Sequence, residues 1–562
     1  MLRHVFFAIL SFLLLTTAPA LADPFPVAAS QWVLGYYVAY QRALLPPARI
    51  DWNGLSHIVM GRLAANANGT INTSFDWDTT DGPALAKQVA ALAHAHGKKA
   101  ILMLGGSDNG AAIAQAVAGH RAALEANLLT LVTAYGYDGL DLDWENTIDY
   151  AEFVVFVQEL RAKAPKLILT LPTGALNLNY ETVDPHIPIM AASLDRLNIM
   201  SYAPSTAWAG SGWLSWFNSP LGGEKPSTPV SIVSSLQAYV SAGVPKAKLG
   251  MGASFYAICY TGGVTGPNQS TENGVSLAGG DGAYMLSNLY GVDGDFSQTY
   301  RHWFATTSEP YLSLPKQNSF GCRYVSYEDE ASIEAKGAYS RSEGYGGIII
   351  WTINQGYVAS HSQPNFLMEA LYKGFINPSA TLTVGISILQ GPVWVKTAAK
   401  LPFGALVTGS SNAAVIWGVT KPNCGSIDAT GLYTAPSVET TCFVTATSQA
   451  DPTKQATAQV TVTNTPWPVK FSVTRPGQWW VEVTADDPTV ASMTVTWTNG
   501  TQSPLSLDYV QSGTNYPVFA ANYLFPDAGG TYVFSARSTH NRLAQAKLVV
   551  PVCDHGADGI CH

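Results

Sequence analysis

The stretch Tyr137-Asp-Gly-Leu-Asp-Leu-Asp-Trp-Glu145 decides the interpretation of this chain of 562 residues. Side chains alternate between the two faces of a strand, so Asp141, Asp143 and Glu145 share one face and the apolar residues between them share the other. Carboxylates this close cannot all ionise at low cost, so at least one keeps a proton near neutral pH, as a general acid must. No Lys or Arg occurs between Ala122 and Leu160, so a local ion pair does not explain the three acids.

Eight short apolar runs, separated by segments with helical periodicity, extend from about residue 30 to 375. The runs are Val33–Val38, Ser56–Gly61, Ala100–Leu104, Gly139–Asp143, Leu167–Leu171, Leu197–Ser201, Leu249–Ala253 and Gly347–Trp351. Strand-like runs that alternate with helices predict an α/β fold, a TIM (β/α)8 barrel, with Glu145 at the C-terminal mouth of the fourth strand. A doubly wound open sheet is the alternative, but no Gly-rich phosphate loop supports it.

A Gly- and Tyr-rich segment at about 257–320 separates the seventh and eighth runs. A loop of this length inside a domain predicts either a functional loop or a small subdomain. Six cysteines in a chain that enters an oxidising compartment favour disulfides, although spacing alone does not determine the connectivity. The pairs that we expect are Cys259 with Cys322, Cys424 with Cys442, and Cys553 with Cys561. A metal site at the C-terminal Cys553–His562 segment is the less favoured alternative.

Helical periodicity ends at Asn377-Pro378, and Val/Thr-rich alternation replaces it. We predict a catalytic domain at 23–376, followed by two small all-β sandwiches at 377–464 and 465–562. Thr408–Val415 and Gly431–Pro436 resemble bacterial Ig-like modules. The last module contains Trp479-Trp480, which favours carbohydrate binding over a second Ig-like spacer.

The N-terminus predicts export. A charged start at Arg3-His4, an apolar run at Val5–Leu15 and the small-residue site Ala20-Leu-Ala22 are typical of a signal peptide at 1–22. A membrane anchor is less favoured, because the run is short and Pro19 follows it. We therefore expect a secreted, extracellular protein with no membrane contact after cleavage.

Charge and aromatic content indicate the class of substrate. The chain has 30 basic and 39 acidic residues, a net charge of −9, which argues against nucleic acid and suits a neutral substrate. Fifteen Trp and 26 Tyr favour carbohydrate, since sugars stack on flat aromatic faces. We expect a monomer.

Residues 137–145 match the DxxDxDxE signature of family 18 glycoside hydrolases, and the resemblance extends in order along residues 30–375. The further segments that resemble the family are Gly35-Tyr36-Tyr37, Leu104-Gly105-Gly106, Met200-Ser-Tyr202, Asn218-Ser-Pro-Leu221, Tyr327-Glu-Asp with Ser332 and Lys336, and Trp351. The resemblance implies a retaining chitinase without a cofactor, which acts on chitin or chitooligosaccharides. It implies that Glu145 protonates the glycosidic oxygen while the substrate's own N-acetyl carbonyl attacks the anomeric carbon.

The resemblance also implies roles for the other residues of the site. Asp143 would orient the acetamido group, Asp141 would share a proton with Asp143, and Tyr202 would hydrogen-bond the acetamido oxygen. Trp351 would form the floor under the sugar, with Met200 and Tyr36 as further substrate contacts.

Two positions depart from the family pattern. Met103 stands where the family has a Ser in the third strand, and Ala203 stands where the family has an Asp after the sixth-strand Tyr. Both changes put the rate and the pH optimum in question, but neither removes the acid.

The loop after the sixth run contains Trp208, Trp213 and Trp216 among Gly and Ser residues. This context favours an exposed platform for sugar stacking over packing in a core.

Two other functions compete with a chitinase. An endo-β-N-acetylglucosaminidase that trims N-glycans uses the same signature, and a non-catalytic chitin-binding protein is a candidate of another class. Such non-catalytic proteins usually lose the acid, whereas this chain keeps Glu145. Serine hydrolysis is disfavoured, because no G-x-S-x-G elbow is present.

Overall fold

The computed structural model of the chain describes residues 31–552, except for 204–206, 208–209, 292–293, 391, 411, 466–468, 478–479, 498–501, 512–515, 523–528 and 539–542. The predicted signal peptide and the predicted Cys553–Cys561 pair lie outside the described residues.

Eight parallel strands close into a barrel, as predicted. They are β1 (Trp32–Val38), β2 (His57–Ala65), β3 (Lys99–Gly105), β4 (Gly139–Asp143), β5 (Ile168–Gly174), β6 (Arg196–Met200), β7 (Leu249–Ser254) and β8 (Gly347–Trp351). Each pairs with the next, and β1 pairs with both β2 and β8, which closes the circle and excludes an open sheet. A two-residue strand, Ile71–Asn72, adds an antiparallel edge to β2.

Helices surround the barrel on the outside. They are α1 (Asp81–Ala95), α2 (Gly110–Tyr135), α3 (Tyr150–Lys163), α4 (His186–Ala191), α5 (Ile232–Ser241), α7 (Glu330–Glu343) and α8 (Phe366–Leu371), whereas the short α6 (Leu286–Tyr290) belongs to the insertion between β7 and β8. The predicted apolar stripes face inward: in α3, for example, Phe153, Phe156, Val157 and Leu160 are buried. None of the helices in the described part of the chain has the length and apolar character needed to cross a bilayer.

The segment between β7 and β8 is a small subdomain with its own antiparallel sheet. Its strands, in spatial order, are Leu277–Gly279, Ile258–Tyr260, Tyr324–Ser326, Glu309–Ser313 and Arg301–Phe304. The sheet therefore continues beyond the predicted end at residue 320. A disulfide joins Cys259, in the strand Ile258–Tyr260, to Cys322, which precedes the neighbouring strand Tyr324–Ser326, with a Cα–Cα distance of 5.9 Å. This is the pair predicted from the sequence.

The chain after the barrel is all-β. The first group of strands comprises Gly385–Ile388, Val393–Val395, Lys400–Pro402, Ala405–Thr408, Val415–Val419, Ser426–Ile427, Leu432–Thr434, Thr440–Ser448 and Gln455–Val462. The second comprises Phe471–Gly477, Trp480–Ala485, Val490–Thr496, Gln502–Val510, Pro517–Asn522, Gly530–Ser538 and Leu543–Val550. The predicted disulfide Cys424–Cys442 is present in the core of the first group.

The core of the barrel does not end at the change in composition near residue 377. Leu389 and Leu406, from the first β-group, are buried in the same apolar cluster as the outer layer of the barrel. Polar contacts support this packing: the Gly409 N–H donates to Glu330 at 2.7 Å, and the Ser362 N–H donates to Ser387 at 2.8 Å.

Candidate active site

The alternation predicted for β4 is present. Leu140 and Leu142 pack into the layer between strands and helices, whereas Asp141 and Asp143 are buried inside the barrel, 0% and 3% exposed. Glu145 follows two residues after the end of β4 and lies half-buried at the mouth. β4 thus carries two buried carboxyls, and the residue two positions beyond its end supplies a third that reaches the cleft.

Asp141 is held by two hydroxyls. The Tyr36 hydroxyl donates to Oδ2 at 2.8 Å, and the Thr170 hydroxyl donates to Oδ1. Burial raises the pKa of Asp141 to about 6, although both hydrogen bonds oppose the rise by favouring the carboxylate. This carboxyl therefore titrates close to the working range of an enzyme.

Asp143 has no comparable support. Within the described residues, its Oδ1 is buried and accepts no hydrogen bond. Burial raises the pKa of Asp143 well above its ordinary value, and the charges of Glu145 and Asp141 raise it further, against a smaller opposing effect of Arg62. Burial and the two neighbouring carboxylates thus both favour the protonated form of Asp143.

The pKa of Glu145 is also raised above its ordinary value. Partial burial raises it, Arg62 lowers it and Asp108 raises it. A carboxyl with a raised pKa at the rim of a cleft suits the role of a general acid.

The cation near these acids escaped the sequence analysis. Arg62 comes from β2, and it makes ion pairs with Asp76 and Asp108. A search for basic residues near the acids in sequence does not find it, because the pairing of β2 with β3 and of β3 with β4 brings Arg62 close to them. Arg62 directly follows the predicted strand Ser56–Gly61 and is the one charged residue in this apolar stretch. A lone charge there was the feature of the sequence that could have indicated a functional role.

Two glycines, at the end of β3 and at the start of α2, allow the chain to pass close to β4 and to the residues after it. A Cβ on Gly105, at φ +116°, would lie 2.1 Å from the carbonyl oxygen of Asp143. A Cβ on Gly110 would lie 1.9 Å from the carbonyl oxygen of Glu145. Close backbone approach therefore explains glycine at both positions.

A cleft of about 760 Å³ opens above the acids. Three residues named from the sequence, Met200, Tyr202 and Trp351, line it. It is also lined by Tyr256, which directly precedes the insertion, and by Asp281, which lies within the insertion. The last two were not predicted, since a contribution from a remote insertion carries no local sequence signal.

Tyr202 and Trp351 lie over the interior of the barrel. A Cβ on Gly252 of β7 would lie 2.8 Å from the Tyr202 ring, so this glycine makes room for the ring. The ring of Trp351 lies 5.2 Å from that of Tyr36, centroid to centroid. The aromatic contacts predicted for the site therefore lie together around the buried aspartates.

Both departures from the family pattern lie at the cleft. Met103 lines it with a buried thioether in place of a hydroxyl. Ala203 also lines the cleft. Its backbone has a φ of +52°, and its N–H donates to the side-chain oxygen of Asn218 at 3.0 Å.

The expectation of an exposed tryptophan platform is wrong for two of its three members. Trp213 and Trp216 are 7% and 1% exposed. The Trp216 indole donates to the carbonyl of Val230 at 2.9 Å, and its backbone N–H donates to the hydroxyl of Tyr260 in the insertion. The insertion covers this loop, which its Gly and Ser content did not reveal. Trp208 lies outside the described residues.

No group of three or more His, Cys, Asp or Glu side chains in the described ranges is arranged to hold a metal ion.

Comparison with known families agrees with this geometry. The model of the family described as glycosyl hydrolases family 18 matches residues 33–356, which is more than half of the chain. The chain belongs to glycosyl hydrolases family 18. The matched range covers the whole barrel up to the end of the β8 region, including the row of acids on β4.

Curated relatives match about half of the chain. A probable endochitinase of Caenorhabditis elegans is 31% identical over 287 residues, which are 46% of this chain and 43% of the relative. Chitinase A1 of Niallia circulans is 26% identical over 347 residues, 55% of this chain and 46% of the relative. The match thus spans less than half of the length of either relative.

Solved structures show the same fold. The Group IV chitinase of Ostrinia furnacalis superposes with a TM-score of 0.50 at 22% identity, over 61% of this chain and 99% of that chain. Chitinase ChiW of Paenibacillus sp. str. FPU-7 superposes with a TM-score of 0.52 at 19% identity, over 77% of this chain and 57% of that chain.

Proposed function

We propose that this family 18 protein is a chitinase, which hydrolyses β-1,4 linkages between N-acetylglucosamine residues with retention of configuration. One observation carries the proposal: Asp143 has a buried oxygen without a hydrogen-bond partner in the described part of the chain, directly behind the half-buried Glu145. A buried acceptor of this kind is costly unless a ligand satisfies it. The acetamido N–H of a bound sugar is a donor of the required type.

The acid acts first. Glu145 transfers its proton to the glycosidic oxygen as the bond to the anomeric carbon breaks. The acetamido carbonyl oxygen of the same sugar bonds to that carbon from the opposite side, so the substrate supplies the nucleophile and an oxazolinium ion forms. Water, deprotonated by the Glu145 carboxylate, then opens the ring and restores the acid.

Asp141 and Asp143 stabilise the positive intermediate as a pair. Tyr36 and Thr170 favour the carboxylate form of Asp141, and the raised pKa of Asp143 favours a shared proton. The pair then carries one negative charge beneath the ring while Asp143 accepts the acetamido N–H. Tyr202 donates its hydroxyl to the acetamido oxygen, and Trp351 supports the sugar face.

The other carboxylates that line the cleft are held by ion pairs or hydrogen bonds, which supports the proposal that the nucleophile comes from the substrate. Asp76 and Asp108 are paired with Arg62. Asp281 accepts hydrogen bonds from Gln355 at 2.7 Å and Gln41 at 3.3 Å. A carboxylate held in this way is poorly placed to attack an anomeric carbon.

We also propose that the protein is exported and acts outside the cell. The N-terminal pattern of a charged start, an apolar run and a small-residue cleavage site supports export. The net charge of −9 suits a neutral polysaccharide. Relatives whose names describe chitinases support the choice of polymer.

Product stereochemistry tests the mechanism. With chitooligosaccharides we expect the β-anomer as the first product by proton NMR, inhibition by a thiazoline mimic of the cyclised intermediate, and no turnover of fully deacetylated oligomers. Release of the α-anomer first, or comparable cleavage of cellooligosaccharides, would refute it. A high-mannose glycopeptide assayed in parallel identifies an endo-β-N-acetylglucosaminidase, if that substrate is the one cleaved.

A further inference from the structure

Arg62 connects three parts of the cleft wall. Its Nη1 donates to the carbonyl oxygen of Gly105 at 2.9 Å, and its Nη2 donates to Oδ2 of Asp108 at 2.9 Å. Its Nε donates to Oδ2 of Asp76 at 2.7 Å. The guanidinium group thus bridges the turn that follows β3 and the segment that follows β2.

The same turn is bonded to the chain that carries the acid. The Gly106 N–H donates to the carbonyl oxygen of Asp143 at 2.8 Å. The side chain of Asn146 donates to the carbonyl oxygen of Ser107 at 2.8 Å. Residues on both sides of Glu145 are therefore held by the turn that Arg62 holds.

Space for the guanidinium group comes from a glycine. A Cβ on Gly106 would lie 2.9 Å from Nη1 of Arg62, so a larger residue would displace the cation or the turn. The Arg62 side chain is only 19% exposed, whereas that of Asp108 is 71% exposed.

Charged and titratable groups face Glu145 from several elements. Arg62 comes from β2, Asp108 from the turn after β3, Asp143 from β4 and Tyr202 from the segment after β6, and all line the same cleft. Arg62 and Asp108 have opposite effects on the pKa of Glu145, since the cation lowers it and the anion raises it.

We propose that Arg62 and Asp108 form a charged clamp, which positions Glu145 through the turn after β3 and places opposing charges beside it. The clamp consists of positioning residues for the reaction proposed above, and it rests on that proposed function. It assigns a role to a basic residue that the catalytic steps do not use.

Two variants separate the electrostatic effect from a general loss of structure. Arg62→Met removes the cation, so the alkaline limb of the profile of kcat/KM against pH should move to higher pH. Asp108→Asn removes the anion, so the same limb should move to lower pH. Arg62→Met should also lower kcat by roughly 10-fold, because the turn loses its anchor. Arg62→Lys, which keeps the charge, should leave the limb near its wild-type position.

Arg161→Met is the matched control. Arg161 also joins a turn by hydrogen bonds, to Ser193 and Leu167, and pairs with Asp195 away from the cleft. Its loss should leave the pH profile unchanged. Unchanged limbs in both clamp variants, or shifts of the same sign, would overturn the proposal.

A titration without turnover keeps the test independent of the proposed function. ¹³C NMR of Glu-labelled protein, with Glu145 assigned from its absence in Glu145→Gln, should show the same opposite displacements of the Glu145 titration. If the wild type fails to cleave chitooligosaccharides, the proposed function fails while this titration still decides the clamp. Identical titrations in wild type, Arg62→Met and Asp108→Asn would refute the clamp even in an active chitinase.

Discussion

The Tyr36 hydroxyl on β1 donates a hydrogen bond of 2.8 Å to Oδ2 of Asp141 on β4. Both residues are buried inside the barrel, so a donor and a carboxylate from strands that are not neighbours meet in a medium of low polarity. A hydrogen bond to an ionised group in such surroundings is among the stronger polar interactions in proteins. This hydrogen bond opposes the rise that burial causes in the pKa of Asp141.

The first prediction follows from this pair. Protonation of Asp141, whose pKa lies at about 6, removes the negative charge beneath the intermediate, so kcat/KM should fall as the pH decreases through that value. Tyr36→Phe and Thr170→Val each remove a donor that favours the carboxylate, so each should move this acid limb to higher pH. Tyr137→Phe, which removes a buried hydroxyl bonded to Ala86, serves as the control. An acid limb that stays in place in both variants would contradict this role.

The second prediction concerns the acid. Glu145→Gln keeps the shape of the side chain but delivers no proton, so kcat should fall by ~10²-fold or more while binding of chitooligosaccharides persists. Steady-state kinetics and calorimetric titration measure the two effects. Glu152→Gln on α3, outside the cleft, should keep wild-type turnover. Turnover near the wild-type rate in Glu145→Gln would remove it from the mechanism.

The third prediction uses two glycines of α2. Alanine is the better helix former by about 1 kcal/mol, but a Cβ at Gly110 would meet the carbonyl oxygen of Glu145 at 1.9 Å. Gly110→Ala should therefore lower both the thermal stability and kcat. Gly119→Ala, with no atom within 4 Å of its Cβ, should leave kcat unchanged and raise the stability slightly. Equal effects of the two substitutions on kcat and stability would contradict the steric role of Gly110.

The fourth prediction compares the two disulfides. Removal of Cys259–Cys322, which spans 63 residues, should cost about 4 kcal/mol of the free energy of unfolding on chain-entropy grounds. It should also raise KM, because the insertion supplies Asp281 to the cleft. Removal of Cys424–Cys442, which spans 18 residues, should cost about 3 kcal/mol and leave KM for soluble oligomers unchanged. Paired Cys→Ala variants, measured by denaturation and kinetics, provide the test.

The fifth prediction concerns the C-terminal module. Deletion of 465–562 should weaken adsorption to insoluble chitin and leave turnover of soluble oligomers nearly unchanged. The adjacent Trp479-Trp480 in the sequence motivates this expectation, since sugars stack on flat aromatic faces. The side chains of these two residues lie outside the described part of the structure. A double Trp→Ala variant should reproduce the loss of adsorption. Equal adsorption of the full chain and the truncated chain would indicate a spacer.

Local patterns predicted most of the barrel. The runs that became β1 to β8 were identifiable because buried parallel strands are continuously apolar, and the parity of β4 placed Asp141 and Asp143 on the inner face. These features depend on residues close together in sequence.

Long-range packing accounts for what the sequence did not reveal. Arg62 reaches the acids because β2 pairs with β3, which in turn pairs with β4. Trp216 is buried where the insertion contacts its loop. The buried Lys336, which pairs with Glu309 of the insertion and with Glu328, is a further example. Composition of a loop says little about its exposure when a distant segment covers it.

Leu389 and Leu406 pack into the outer layer of the barrel. The change in sequence pattern near residue 377 is therefore not the end of the apolar core. A change in composition marks where one sequence pattern replaces another, whereas a folding unit ends where its shared apolar contacts end. Here those contacts continue past the boundary, and the bond from Gly409 to Glu330 continues with them. The barrel and the first β-group therefore share one buried apolar cluster. An isolated barrel cut at residue 376 would present to water an apolar surface that the intact chain covers.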